Sequence, residues 1–240
     1  YEKRYPNIFK PIYQIENQYS KSIDVFTLNA SRAKGKYIAI CEGDDYWTDP
    51  LKLQKQVDFL EENPVYSGVF HNVSILNQET QGNEYDSTNI KEGKYTNKDI
   101  FFNNMVPTLS LVFRNDLEIP SWFEDMKIGD WYLHMINTKR GPYYCLPDCM
   151  GVYRKTEVGA FSGKSNEGKL KLRLEFYKNI PKFMEGDFKK EGKPIISSIY
   201  FQLALISVSV LKKTYYFLKS IGHTPFLFRL NGHRFKRLFL

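Results

Sequence analysis

A short apolar run that ends in a cluster of acidic residues constrains this chain most strongly. Residues 36–41 (Lys-Tyr-Ile-Ala-Ile-Cys) lead directly into residues 42–45 (Glu-Gly-Asp-Asp). A near-continuous apolar run of this length is typical of a strand that is covered on both faces in a parallel sheet. A helix is predicted next, because Pro50 suits a first helical turn and apolar residues then recur at helical spacing. The acidic residues are therefore expected in a loop between a strand and a helix.

Strands and helices alternate along most of the chain, which predicts an α/β fold. From residue 167 onward the pattern changes to helices, so we place a boundary near Gly163. Residues 1–163 then form the α/β domain, and residues 164–240 form a helical C-terminal extension. We predict strands at residues 8–14, 36–41, 69–76 and 108–114, and paired short strands or extended chain at 142–154. Helices are predicted at 50–62, 96–102, 130–137, 170–183 and 195–219, and turns or loops at 17–22, 78–88 and 185–193.

The formal net charge of +7 is concentrated toward the C-terminus. Basic side chains lie there among apolar and aromatic ones, a pattern that favours a membrane surface over nucleic acid as the partner. Packing of this tail on its own domain is the alternative. The apolar stretch at residues 199–211 is shorter than the roughly 18 residues that span a bilayer, so a buried or interfacial helix is predicted. The tail residues concerned are Lys212, Lys213, Lys219, Phe226, Phe228, Arg229, Arg234, Phe235, Lys236, Arg237 and Phe239.

The three cysteines form no CxxC pair and have no His at metal-ligand spacing, which predicts neither a disulfide framework nor a zinc site. Reduced thiols are typical of the cytosol. Together with the basic, aromatic tail, they predict a cytoplasmic protein that contacts the inner face of the cell membrane peripherally.

The carboxylates of residues 42–45 are expected where open α/β sheets place their ligand sites, at the end of a strand. Crowded like charges are unfavourable unless a cation or bound donors neutralise them. Hard oxygen ligands favour Mg²⁺ or Mn²⁺. A divalent-cation site is one interpretation of these residues, and a solvated acidic loop is the other.

Residues 32–56 resemble the central block of family 2 glycosyltransferases, which are inverting, metal-dependent enzymes with the GT-A fold. In that family an acidic D-x-D-type motif holds the metal that binds the diphosphate of the nucleotide-sugar. The resemblance implies that Asp44 is a metal ligand supported by Asp45, and that Glu42 lies near the donor ribose or reaches the metal through water. It also implies a GT-A (Rossmann-like) mixed sheet that lacks its first strands.

Residues 128–133 (Ile-Gly-Asp-Trp-Tyr-Leu) match the place where the family carries an acidic pair at a helix N-terminus. Only the second acid is present, because Gly129 stands at the first position. The resemblance implies that Asp130 is the catalytic base, which takes the proton of the acceptor hydroxyl in a single inverting displacement. An ordinary helix N-cap is the alternative interpretation of Asp130.

Residues 104–114 resemble the family segment that runs under the acceptor pocket, which makes Thr108 and Ser110 candidate acceptor contacts. Alternate positions of an ordinary strand explain both residues equally well. Trp47 and Trp131 complete the predicted acceptor pocket, with packing under the acidic loop as the alternative for Trp47.

Residues 152–154 (Val-Tyr-Arg) resemble the motif that follows the base in the same family. The resemblance makes Arg154 a candidate partner of the donor phosphates, while a structural ion pair is the alternative. Relatives often carry a His at the position that Thr156 occupies here.

The resemblance covers residues 1–160 and predicts a transferase of polysaccharide biosynthesis at the cell envelope. Its donor would be a nucleotide-sugar, most simply a UDP-sugar, its cofactor Mn²⁺ or Mg²⁺, and its acceptor a glycan or lipid-linked glycan, with no nucleic acid as partner. Because the family's nucleobase-binding strands precede this region, we expect the chain alone to bind nucleotide poorly. The alternative is a degenerate GT-A fold that binds nucleotide or glycan without turnover.

Overall fold

A computed structural model describes residues 1–16, 18, 25–77, 84–155 and 163–223 of the 240-residue chain. The described strands are β1 (Tyr37–Ala39), β2 (Tyr46–Trp47), β3 (Gly68–Asn77), β4 (Glu84–Ser87), β5 (Gly93–Tyr95), β6 (Val112–Arg114) and β7 (Tyr143–Lys155). They form one mixed sheet in the order β1-β6-β3-β7-β2, with β4 paired to β3 and β5 paired to β7. Among the described strands only β3 and β7 run parallel to each other.

The centre of the sheet is the long parallel pair of β3 and β7. Its register runs from Gly68 opposite Tyr143 to Asn77 opposite Lys155, and it shifts where His71 faces Leu146 but Asn72 faces Cys149. The two intervening residues, 147 and 148 (Pro-Asp), form a bulge, since proline has no N–H for the ladder. Residues 142–154 are thus one bulged strand and not the pair of short strands that we considered.

The strand predicted at residues 36–41 is present as β1, but the parallel pairing predicted for it is wrong. β1 lies at the edge of the sheet, where it pairs antiparallel with β6. Ile38 packs on the main core, while Tyr37 packs on a second apolar cluster on the other side. The run is apolar because both faces of β1 make contacts. Along the edge of β1 that faces away from β6, no described strand is paired.

Seven helices are described, and most agree with the predicted ranges to within a few residues. The helices are α1 (Val25–Ala30), α2 (Lys52–Glu62), α3 (Asn97–Phe102), α4 (Gly129–Thr138), α5 (Asn166–Phe183), α6 (Phe188–Ile206) and α7 (Val210–His223). The short helix α3 begins at the capping box of Thr96 and Asp99, where Thr96 Oγ1 accepts from the Asp99 N–H and Asp99 Oδ2 accepts from the Thr96 N–H.

The single helix predicted at residues 195–219 is in fact two helices. α6 begins at Phe188, inside the stretch predicted as a separator, and ends at Ile206. Ser207 Oγ donates to the Leu203 carbonyl at 2.7 Å, a local bond that competes with continued helix, and α7 then begins at Val210. Among the described residues, no helix has both the length and the apolar character to cross a membrane.

Three smaller predictions also need correction. Residues 8–14 contain no strand, residues 108–114 consist of a 3-10 turn (Thr108–Ser110) followed by β6, and the loop predicted at residues 78–88 contains β4. The turn predicted at residues 17–22 lies outside the described residues except for residue 18, as do Thr156 and the tail aromatics Phe226, Phe228, Phe235 and Phe239.

The helices after residue 163 share one hydrophobic core with the sheet. Phe176 of α5 stacks on Trp131 of α4, with ring centroids 3.9 Å apart and planes at 11°. Leu203 of α6 and Phe113 of β6 belong to the same buried cluster. The boundary near Gly163 therefore marks a change of secondary structure, with α5 and α6 forming one wall of the common core.

Candidate functional site

The acidic loop, residues 42–45, connects β1 to β2. The turn is closed by the Asp45 N–H, which donates to the Glu42 carbonyl at 3.1 Å. Glu42 and Asp44 border solvent, whereas Asp45 is only 8% exposed. The loop follows an edge strand, so its acidic side chains lie at a border of the sheet.

Arg154 of β7 fixes the acidic loop through hydrogen bonds to its main-chain and side-chain oxygens. β2 pairs with β7, which brings Arg154 beside the loop. Its backbone N–H donates to Asp45 Oδ1 at 3.0 Å, and its guanidinium donates to the carbonyls of Asp44 and Gly43. The guanidinium therefore fixes the loop through carbonyl groups, an arrangement that differs from the simple ion pair considered from sequence.

Two of the loop carboxyls, those of Glu42 and Asp45, have raised pKa values. Partial desolvation of the Glu42 carboxyl, together with the nearby charges of Asp45, Asp130 and Asp44, raises its pKa to about 7. Burial raises the pKa of Asp45 to about 6, with the hydrogen bond from the Arg154 N–H partly opposing the shift. The loop therefore resists carrying its full negative charge near neutral pH.

Asp130 lies in the first turn of α4, where the N-cap position belongs to Ile128. The N-cap interpretation of Asp130 is therefore wrong. Asn104 Nδ2 donates to Asp130 Oδ2 at 3.0 Å and fixes the carboxylate. Because the charge of Asp130 contributes to the raised pKa of Glu42, the two predicted halves of the site share one electrostatic environment.

Tyr153 is a site residue that the sequence analysis did not single out. Burial raises the pKa of its phenol, and the charges of Asp45, Glu42, Asp44 and Asp130 raise it further. The hydroxyl therefore remains a protonated hydrogen-bond donor among four carboxylates. Tyr153 directly precedes Arg154, and this position was the sequence signal that could have identified it as a site residue. Asn104 is the first residue of the segment 104–114 and was likewise assigned no role.

The four residues predicted for an acceptor pocket do not lie together at the surface. Ser110 is fully buried and its hydroxyl donates to the Pro107 carbonyl at 2.7 Å. Trp131 is 4% exposed and belongs to the core. Trp47 and Thr108 are half-buried and retain some contact with solvent.

Two contacts hold the side chain of Trp47 in place. Its Nε1–H donates to the Leu109 carbonyl at 2.8 Å, and Lys52 Nζ lies 4.3 Å from its ring centroid. A shallow hollow of about 340 Å³ is lined by Trp47 and by residues between 48 and 53. None of the acidic site residues lines this hollow.

The residues present fit a divalent cation by donor type. Asp45 Oδ2 is buried and has no ordinary donor as partner, while the Glu42 carboxyl lies close enough to share a proton with Asp45. The exposed carboxylate of Asp44 lies in the same loop. Within the described ranges, no three His, Cys, Asp or Glu side chains are arranged as a complete metal-ligand set. Magnesium commonly takes only one or two carboxylates, with substrate phosphates and water completing its coordination.

Fold and site together define a mixed α/β protein with a carboxylate-rich site at a sheet border. No family model matches the chain. It is similar to uncharacterized proteins of Mycobacterium bovis and Mycobacterium tuberculosis, with 34% identity over 162 residues that cover 66% of this chain and 45% of each relative. The chain thus spans less than half the length of the curated relatives that it matches.

Proposed function

We propose that the protein containing this chain is an inverting glycosyltransferase of the GT-A type. It would transfer a sugar from a nucleoside diphosphate donor to a hydroxyl of a glycan or lipid-linked acceptor. The observation that carries this proposal is the acidic loop itself, where three carboxyls crowd one turn and Asp45 is only 8% exposed, with Asp130 close enough for its charge to act on Glu42. The resemblance of residues 32–56 to the family's central block adds the reaction type.

The acidic loop would serve the donor. Asp44 and Asp45 would hold Mn²⁺ or Mg²⁺, which neutralises the charge that develops on the departing nucleoside diphosphate. The crowding of Asp45 by the Glu42 carboxyl supports this role, since a bound cation would take the place of a proton shared between the two groups. Glu42 would contact the donor ribose or reach the metal through water, and Arg154 adds a positive charge beside the loop.

Asp130 would serve the acceptor as general base. As the acceptor oxygen attacks the anomeric carbon, its proton passes to Asp130 and the bond to the diphosphate oxygen breaks, which inverts the configuration. The hydrogen bond from Asn104 fixes the orientation of the Asp130 carboxylate. One displacement needs one base, so Gly129 in place of a second acid is compatible with the reaction.

A degenerate fold that binds nucleotide or glycan without turnover is the second candidate. The specific observation in its favour is Gly129, which stands where the family carries the first acid of its pair. In such a fold the acidic loop would still be a binding site, but Asp130 would have no chemical role.

The experiment that tests the proposal is donor hydrolysis and sugar transfer by the full-length protein, screened over uridine- and guanosine-linked sugars. We expect turnover with Mn²⁺, none with chelator, and its loss in Asp44→Asn. Asp58→Asn, an exposed carboxylate on α2, is the matched control and should behave as wild type. Metal-dependent nucleotide binding without turnover would instead establish the binding fold.

Cation binding at the loop is expected to appear as a pH-dependent gain in thermal stability. The folded-state pKa values of Glu42 and Asp45, about 7 and about 6, lie above the unfolded values. Their protonation therefore stabilises the folded chain at acid pH, and this contribution is lost as pH rises toward about 7. Mn²⁺ should raise the melting temperature by roughly 2–4 °C at about pH 8, and less at about pH 5, because protons compete for the carboxylates.

The matched variant is Asp45→Asn, which keeps an oxygen for the Arg154 N–H but removes the charge. We expect it to melt at a higher temperature than wild type at about pH 8 without metal, and to respond less to Mn²⁺. An equal Mn²⁺ response in the variant and in wild type, measured by differential scanning fluorimetry, would place the cation elsewhere.

A further inference from the structure

Helix α7 presents an apolar stripe to solvent. Leu211, Tyr215 and Leu218 are spaced at i, i+4 and i+7, and their exposed fractions are 83%, 53% and 61%. Val208, in the break before α7, is 99% exposed. We call these four residues the α7 face. Large apolar side chains grouped in this way mark an interaction surface.

The opposite side of α7 is fixed against α6, so the α7 face cannot rotate inward. Phe217 and Ser220 are buried there. Ser220 Oγ donates to the Ser197 carbonyl at 2.8 Å, and Ser197 Oγ donates to the Ser220 carbonyl at 2.9 Å. This reciprocal pair sets both the rotation and the register of α7 on α6.

Exposed cations flank the α7 face. Lys212 and Lys219 lie one residue from its apolar members, and Lys219 Nζ is 5.6 Å from the Tyr215 ring centroid. The nearby carboxylate of Glu167 on α5 already pairs with Lys171 at 2.7 Å. Residues 195–240 contain seven Lys and Arg side chains and no Asp or Glu. The charge of this segment therefore equals the formal net charge of the whole chain, +7.

We propose that the α7 face docks on an anionic lipid bilayer, with α7 lying in the plane of the interface. Its apolar side chains would enter the boundary between headgroups and acyl chains, and Lys212 and Lys219 would contact lipid phosphates. A second copy of the chain fits less well, because a two-fold contact through this face would bring like charges together. Nucleic acid would engage the cations but leave the apolar stripe unused.

Lipid docking goes beyond sugar transfer and requires neither donor nor metal, so the two proposals can fail independently. The test is co-sedimentation of the full chain with vesicles of phosphatidylcholine mixed with phosphatidylglycerol, or of phosphatidylcholine alone. We expect binding to the anionic vesicles that weakens with added salt. The double variant Lys212→Gln/Lys219→Gln should weaken it about 30-fold, and Leu211→Gln/Leu218→Gln at least about tenfold.

Matched controls carry the same chemical changes at exposed positions away from α7. Lys94→Gln/Lys139→Gln and Ile8→Gln/Val65→Gln should bind vesicles as wild type does. Circular dichroism checks that each variant keeps its helix content. Three outcomes would overturn the proposal: no binding by wild type, unchanged binding by both α7 variants, or a dimer that these variants dissociate without any vesicle binding.

Discussion

Replacing Asp130 with asparagine is expected to lower the rate of sugar transfer by about 10² to 10⁴-fold, the usual contribution of a general base. Asparagine keeps the shape of the side chain and an oxygen for the hydrogen bond from Asn104. It cannot accept the proton of the acceptor hydroxyl. The rate constant for transfer should fall, while the affinity for the nucleotide-sugar and Mn²⁺ changes little.

A further measurement separates a base from a structural carboxylate at this position. Asn104→Ala, which only releases the carboxylate, should slow transfer less than Asp130→Asn does. A full transfer rate in Asp130→Asn would remove Asp130 from the mechanism.

Truncating Trp131 to alanine is expected to cost about 3–5 kcal/mol of folding free energy. The ring is 4% exposed, stacks on Phe176 at 3.9 Å and meets Tyr177 edge-on. Its Nε1–H also donates to the Ile100 carbonyl at 2.8 Å. Urea denaturation followed by circular dichroism measures the change in the free energy of unfolding.

The same measurement decides between the core position of Trp131 and the acceptor contact predicted from the sequence. Trp131→Phe keeps most of the stacked area and loses the N–H bond, so it should cost about 1–2 kcal/mol. An acceptor contact would behave differently: alanine would leave stability within about 1 kcal/mol and weaken only acceptor binding.

Local patterns predicted those elements whose contacts are decided by nearby residues. α2, α3 and β3 all lie close to their predicted bounds, and the predictions of α2 and β3 rested on the spacing of apolar residues and on an apolar stretch. β1 was predicted correctly as a strand but wrongly in its pairing, since its neighbour β6 lies more than 70 residues away in sequence. The break between α6 and α7 was missed because a serine bond to a carbonyl does not alter the apolar pattern.

The candidate site, like the fold, could be predicted only in part from the sequence. The acidic loop could be found from sequence because its three acidic residues lie within four positions and follow a strand. The environment that it shares with Asp130 depends on the tertiary fold, as does the position of Tyr153 among the carboxylates. Ser110 and Trp131 were assigned to an acceptor pocket, but both are buried. The sequence alone does not show whether a single polar or aromatic residue is buried or exposed.

The common core of sheet and helices has a practical consequence for anyone who trims this protein. Phe217 of α7 packs on Ala204 of α6, α6 adjoins the aromatic cluster of Phe176 and Trp131, and Trp131 is the residue next to Asp130. Deleting the last helices would remove part of the wall that supports Asp130 as well as the α7 face. The proposed sugar transfer and the proposed lipid docking are therefore better separated by surface substitutions on α7 than by shortening the chain.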